Sequence, residues 1–235
     1  MLELMIADDN VRYAEHLNYV LTKEKDFKVI NISHNGLEAI MYYNSLKPDI
    51  LLLDLDMPGI DGLGVMQRLT DDKKNIIVIS GSPEYRSKIK NAHRIEWILD
   101  KTVSDEALIN AIKSVESNLN YDKIEKNIVN LLKSLNFDLL SKGTSYLLDA
   151  IFIAYEHSHK HMEIDSIMKQ VAAKNSVRNH KNVYSTMDKC IKSTYGKQSN
   201  PDLFNEVLPN FDKYRLSAKQ FIDNAVTYLE TVKIW

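Results

Sequence analysis

Ile50-Leu51-Leu52-Leu53-Asp54-Leu55-Asp56-Met57-Pro58-Gly59 is the stretch on which the fold turns. An unbroken apolar run that ends in a carboxylate and a Pro-Gly turn reads as a short strand buried on both faces, with Asp54 at its carboxyl end. A second run, Met5-Ile6-Ala7, ends the same way in Asp8-Asp9. Three carboxylates at the ends of two strands imply one acidic pocket. Crowded carboxylates are unfavourable unless a cation sits among them, and a hard cation with oxygen ligands such as Mg²⁺ is the natural occupant.

Glu3–Ala7, Phe27–Ile32, Ile50–Leu53, Ile76–Ser80 and Ile95–Leu99 read as strands. Helical patterns at Val11–Leu21, Gly36–Asn44, Gly62–Leu69, Pro83–Ala92 and Ser104–Val115 separate and close them. This β-then-α alternation predicts an α/β domain: a parallel sheet with helices on both faces. In such sheets polar sites lie beyond the carboxyl ends of the strands, at the switch in strand order, where Asp8, Asp9 and Asp54 fall. Strand signals stop after Glu116. Helical patterns at Ile124–Leu135, Thr144–Tyr155, Asp165–Lys174, Asn179–Tyr195 and Ser217–Val232 predict an all-α second half, with Ser217 as an N-cap. The polar stretch Ser117 to Lys123 holds no Pro or Gly, so the connector is expected to be short or partly helical. The boundary is placed there, giving domains 1–118 and 119–235.

The 235 residues suit two domains. A formal charge of −2 hides an acidic half followed by a mildly basic one. The single cysteine, Cys190, excludes an internal disulfide, and Met1-Leu2-Glu3-Leu4 lacks the basic start and apolar core of a signal peptide. No stretch approaches the ~20 apolar residues of a membrane span. A cytoplasmic protein with no membrane partner is expected.

The first half resembles a two-component receiver domain. The resemblance rests on Ala7-Asp8-Asp9-Asn10, Leu53-Asp54-Leu55-Asp56-Met57-Pro58-Gly59, Ile79-Ser80-Gly81 and Lys101, four ordered elements at four strand ends. It implies a flavodoxin-like five-stranded sheet and a phosphoacceptor at Asp54. A histidine kinase or phosphotransfer protein would be the donor. Mg²⁺ would be held by Asp9, by Asp8 through water, by the Asp54 carboxylate and by the Asp56 main-chain carbonyl. Ser80 would donate to one phosphoryl oxygen and Lys101 would pair with another. Taken singly the parts are bland: Asp8-Asp9 could merely cap a helix, Ser80 end a strand, Lys101 sit in solvent. Gly59, Gly62 and Gly64 are spaced G-x-x-G-x-G, the reverse of a dinucleotide fingerprint.

Two positions depart from the receiver pattern. Receivers usually have Lys-Pro after the fifth strand and an aromatic residue three before the lysine; here Thr102 follows Lys101 and Ile98 holds the aromatic position, with Trp97 one residue further back. Either Trp97 is the switch residue or there is none. Asp56 adds a carboxylate beside the phosphorylation site, where it could repel phosphate or orient water, so an altered lifetime of the phosphorylated form is expected.

In the second half, Asp165–Lys174 and Asn179–Tyr195 have the dimensions of a helix-turn-helix. From Lys169 to Lys197 there are seven basic residues against the single acid Asp188, enough to meet phosphates or simply to form a solvated face. Val183, Met187, Cys190 and Ile191 would be buried. That leaves Arg178, Lys181, Asn182, Tyr184, Ser185, Lys189 and Lys192 for DNA. This half also resembles the C-terminal DNA-binding domain of sporulation-initiation response regulators. The likeness lies at Leu131-Leu132, Leu135, Phe137, Lys142-Gly143, Tyr146-Leu147, Ala150-Ile151, Val171-Ala172-Ala173-Lys174 and Ser217 to Ala225. Where those proteins read bases with arginine, glutamate and arginine, this chain has Asn182, Tyr184 and Ser185, which implies a different target. His157, His159 and His161 read as an exposed helix end, and Cys190 as a packing residue.

The leading expectation is a DNA-binding transcription factor switched by phosphorylation of Asp54, with release or homodimer formation of the helical half. A regulator whose helical half binds a protein is the second. A phosphatase or phosphotransferase using Asp54 and Asp56 as a DxD nucleophile and acid pair is the remote third, because those enzymes usually carry the motif at the first strand and Asp8-Asp9 would be unexplained.

Overall fold

The computed structural model describes residues 1–71, 75–82, 94–158, 162–195, 201–208 and 217–231. It divides into two compact units, Met1–Asn120 and Tyr121–Trp235.

In the first unit β1 (Leu2–Ala7), β2 (Phe27–Ser33), β3 (Ile50–Leu53), β4 (Ile76–Ile79) and β5 (Ile95–Leu99) form one sheet in the order β2-β1-β3-β4-β5. Every pairing is parallel, and the strand order reverses between β1 and β3. Alternate side chains feed two cores. Leu4, Ile6, Ile50, Leu52, Ile77 and Ile79 pack with α1 (Val11–Leu21) and the start of α4 (Asp105–Ser134). Met5, Ala7, Leu51, Leu53, Ile76 and Val78 pack with α2 (Gly36–Leu46) and α3 (Gly62–Met66). This two-sided burial is why Leu4–Ala7 of β1, together with β3 and β4, reads as continuous apolar runs.

The helices start where their caps dictate. Asn10 accepts from the Tyr13 amide, Asn35 from that of Glu38 and Asp61 from that of Gly64. Gly62 has no room for a side chain, since a Cβ there would lie 2.5 Å from the Asp54 carbonyl oxygen and 2.8 Å from Leu55 Cα. Helix α3 therefore lies hard against the backbone that carries Asp54.

Two boundaries differ from expectation. Helix α3 ends at Met66, not Leu69, and the chain turns back so that the amide and hydroxyl of Thr70 both donate to Asn44 Oδ1, at 2.9 and 3.0 Å. Helix α4 does not stop at Val115: it runs unbroken through the expected connector and absorbs the pattern at Ile124–Leu135. No Pro or Gly interrupts the stretch, and Ser117 folds its hydroxyl back to the Lys113 carbonyl at 2.9 Å. The helix expected at Pro83–Ala92 lies outside the described residues.

The second unit, among its described residues, is helical: the end of α4, then α5 (Lys142–Glu156), α6 (Ile164–Lys174), α7 (His180–Tyr195), α8 (Pro201–Val207) and α9 (Ala218–Thr231). The sequence reading had no counterpart to α8. Ser217 caps α9 as expected, exchanging hydrogen bonds with Gln220 in a capping box. Leu131, Leu132, Leu135, Phe137, Leu147, Ala150, Ile151, Val171, Ala172 and Phe221 belong to one core. Val183, Met187 and Ile191 turn α7 toward it, while Cys190 is only half-buried, against Gly143 at the start of α5.

Candidate functional site

Strands β1 and β3 end side by side, Ala7 opposite Leu53, and deliver Asp8 and Asp54 to the switch in strand order. The Asp54 amide donates to the Ala7 carbonyl at 2.8 Å, fixing the phosphoacceptor candidate to the neighbouring strand. Asp8 and Asp54 are almost wholly buried, 2% and 3% exposed, while Asp9 faces solvent. One carboxylate oxygen from each of the three lies within 4.8 Å of the others.

Two buried like charges need compensation. Lys101, in the turn after β5, supplies it by placing Nζ 2.8 Å from Asp54 Oδ2 and 2.8 Å from Asp8 Oδ2. Main-chain amides add to this: Asn10 N donates to Asp8 Oδ1 at 2.9 Å and Asp56 N to Asp54 Oδ1 at 3.3 Å. Burial pushes the Asp8 carboxyl above its ordinary value, against the pull of Lys101 and of the Asn10 amide, with the Asp54 charge adding to the rise. Burial pulls Lys101 down, but its hydrogen bonds to Asp54 and Asp8 prevail, and its net shift is upward. The ammonium stays charged between the two carboxylates.

Ser80 follows β4 and is fully buried; its amide donates to the Leu99 carbonyl at 3.0 Å, and its Oγ accepts from the Ser82 amide at 3.2 Å. Asp56 contributes its amide to Asp54, and its side chain is exposed. In place of a proline, the turn after β5 is shaped by Asp100, whose Oδ1 accepts from the Thr102 amide at 2.9 Å and the Thr102 hydroxyl at 2.7 Å. A register shift in the β4–β5 pairing sets Trp97 opposite Ile77 and Ile98 opposite Val78. Ile98 thus packs on the α2–α3 side, whereas Trp97 is 42% exposed.

Tyr13 was missed in the sequence. It sits in the first turn of α1, its hydroxyl donates to the Lys101 carbonyl at 3.3 Å, and its ring centroid lies 5.1 Å from Lys101 Nζ. Burial pushes its phenol up to about 12, with Lys101 pulling the other way. The only available signal was its place four residues after Asp9.

In the second unit Arg178, Lys181, Asn182, Ser185 and Lys189 are exposed along the turn and outer face of α7, while Tyr184 is half-buried against the core. Three of the basic residues are engaged within the chain: Lys169 with Asp165 at 2.6 Å, Lys174 with the buried Asp149 at 2.6 Å, and Lys192 with Asp188. Lys197 lies outside the described residues, as do His159 and His161. His157 ends α5, its Nδ1 2.9 Å from the Ile153 carbonyl.

A five-stranded parallel sheet in this order, with an acidic, lysine-bridged pocket at its switch point, is the flavodoxin-like arrangement of a receiver-type α/β domain. Residues 4–113 match the family model of the response regulator receiver domain and constitute such a domain. Among curated proteins, the transcriptional regulatory protein BtsR of Salmonella typhi is 31% identical over 100 residues, 42% of each chain. A protein-glutamate methylesterase/protein-glutamine glutaminase of Myxococcus xanthus is 33% identical over 85 residues, 35% of this chain and 24% of that protein. The matched stretches thus span less than half the length of these relatives. Among solved structures, the REC domain of AraT, a response regulator from Geobacillus stearothermophilus, aligns with TM-score 0.46 and 24% identity, over 52% of this chain and 98% of that one. A LuxR-family DNA-binding response regulator from Staphylococcus aureus aligns with TM-score 0.43 and 24% identity, over 49% and 98%. Among the described residues no helix is long and apolar enough to cross a membrane.

Proposed function

We propose that this chain is a response regulator whose Asp54 accepts a phosphoryl group from the phosphohistidine of a histidine kinase or phosphotransfer protein, and whose helical domain, placed at residues 119–235, binds DNA in response. One observation carries the first part: Asp54 is buried beside Asp8, and Lys101 Nζ lies 2.8 Å from a carboxylate oxygen of each. An Asp54 oxygen attacks phosphorus, the P–N bond to the donor imidazole breaks, and its electron pair stays on the donor nitrogen. Lys101 is in place to turn from the Asp54 carboxylate to a phosphoryl oxygen, and Ser80 has a hydroxyl to offer another. The all-oxygen donor set of Asp8, Asp9 and Asp54 fits Mg²⁺, with the Asp56 carbonyl as a further ligand; bound there it would offset phosphoryl charge. The chain works as a switch, labelled once and slowly losing its label, and not as a turnover enzyme.

For the second unit, α6, the turn through Asn175–Asn179 and α7 serve as a helix-turn-helix of the kind in sporulation-initiation regulators. Arg178, Lys181 and Lys189 meet phosphates, and Asn182 and Ser185 face base edges. Tyr184 and Lys192 fit this role less well, one half-buried and the other held by Asp188. A second reading, docking to a protein, gains from that same internal pairing of Lys169, Lys174 and Lys192, which removes three charges from the face. An acyl phosphate donor with Mg²⁺ tests the first part: the chain should be labelled once, and Asp54→Asn not at all. Selection of bound genomic fragments tests the second. A recovered preferred sequence supports DNA binding, and none recovered moves the assignment to a protein partner.

A further inference from the structure

We propose that Tyr13 is a positioning residue for Lys101, acting on it from both ends. This rests on the reading of Asp54 as phosphoacceptor. A lysine carries a compact charge on a flexible four-carbon stem, so holding its ammonium at two carboxylates costs side-chain entropy unless stem and backbone are constrained. Lys101 stands in a turn, is only half-buried, and is followed by Thr102. Its own turn is braced on the far side by Asp100 through the Thr102 amide and hydroxyl. Tyr13 supplies the near side. Its hydroxyl holds the Lys101 carbonyl at 3.3 Å, and its ring lies 5.1 Å from Nζ, within cation–π range. Tyr13 is itself fixed, because its amide donates to the Asn10 side chain that caps α1, and the Asn10 amide donates to Asp8. One short path therefore joins Asp8, Asn10, Tyr13 and Lys101 and returns to Asp8.

The path leaves Lys101 free to do one thing, to exchange its Asp54 contact for a phosphoryl oxygen on the same carboxylate. Without Tyr13 the ammonium samples solvent, and the developing charge on the transferred group meets a donor only part of the time.

The test uses the full chain, Mg²⁺ and acetyl phosphate, and reads the initial rate of labelling at Asp54. Tyr13→Leu should label about tenfold more slowly, and Tyr13→Phe, which keeps the ring, about threefold more slowly. Circular-dichroism melts show whether each variant folds as the parent does. The decisive arm is the double mutant: in a Lys101→Ala background, itself slowed about 10²-fold, Tyr13→Leu should cause no further loss. A parental rate in Tyr13→Leu, or the same fractional loss with and without Lys101, overturns the proposal. Absence of label on the parent chain, or label persisting in Asp54→Asn, overturns instead the phosphoacceptor reading and takes the Tyr13 proposal with it.

Discussion

Adding one methyl group at Gly62 should damage phosphoacceptance without touching any charged residue. The Cβ of Gly62→Ala would stand 2.5 Å from the Asp54 carbonyl oxygen, 2.8 Å from Leu55 Cα and 2.9 Å from Leu55 Cδ2. Two of these three atoms are backbone, so relief requires either α3 to back away or the Asp54–Leu55 segment to move. Restoring ordinary contact at about 3.4 Å demands a displacement on the order of 1 Å, and overpacking of this kind costs about 1–3 kcal/mol. Helix α3 is held by the Gly62 amide on the Leu55 carbonyl at 3.1 Å, so a retreat of the helix sacrifices that bond as well. If the Asp54 segment yields instead, its carboxylate leaves the 2.8 Å contact with Lys101, and a 1 Å misplacement of a reacting group can cost about 10²-fold in rate. Labelling by acetyl phosphate should therefore fall sharply, while the melting temperature of the first unit falls by several degrees. Gly143→Ala is the matched control in the second unit: its Cβ would meet Cys190 Cβ at 2.5 Å, disturbing that core and leaving the labelling rate alone. A Gly62→Ala protein that labels at the parental rate would refute the claim that α3 sets the position of Asp54.

Tyr43 is fully buried and donates toward Asn75 and Asp71, both at 3.1 Å, so Tyr43→Phe should destabilise the first unit by about 1–3 kcal/mol in urea titration. Burial also pushes this phenol up to about 12, so the native state holds its proton longer than the unfolded chain. Its contribution is complete below pH 10 and is lost as pH rises from 10 through 12, and Tyr43→Phe should flatten the stability curve in that window. Asp149, 6% exposed, holds Lys174 at 2.6 Å and Asn175 at 2.7 Å, tying α5 to the end of α6. Asp149→Ala should cost the second unit about 2–3 kcal/mol, and an unchanged midpoint would show the tie to be incidental. Lys181→Ala and Lys189→Ala should each lower the slope of log affinity against log salt by about 1, and unaltered slopes would remove both from the DNA interface. Asp56→Asn should change the rate at which label is lost from Asp54; an unchanged rate ends the idea that its exposed carboxylate tunes the lifetime.

The first unit was legible because its constraints are local. Each buried strand is a short apolar run and parallel topology brings the carboxyl ends together whatever the helices do, so Asp8, Asp9 and Asp54 could be grouped from the strand ends, whereas Ser80 and Lys101 were implied only by the resemblance to receiver domains. Tyr13 could not be found either way, because its role depends on the turn after β5 lying over the first turn of α1, a tertiary relation with no period in the sequence. The end of α4 was misjudged for the opposite reason. Ser117, Asn118 and Asn120 weaken the apolar stripe, to which Leu119 still contributes, without breaking the backbone, and without Pro or Gly a helix continues through them. In the second unit the resemblance to sporulation-initiation regulators rests largely on Leu131, Leu132, Leu135, Phe137, Leu147, Ala150, Ile151, Val171 and Ala172, all core positions. Core positions constrain how helices pack, and what α7 touches depends on Arg178, Lys181, Asn182, Ser185 and Lys189, which face outward and owe nothing to that packing. That resemblance, an expectation from the sequence, would therefore bear on the scaffold alone, and the target of the second unit has to be read from the exposed residues. That is why the salt slopes of Lys181→Ala and Lys189→Ala, and not further comparison of buried positions, separate a DNA surface from a protein-docking one.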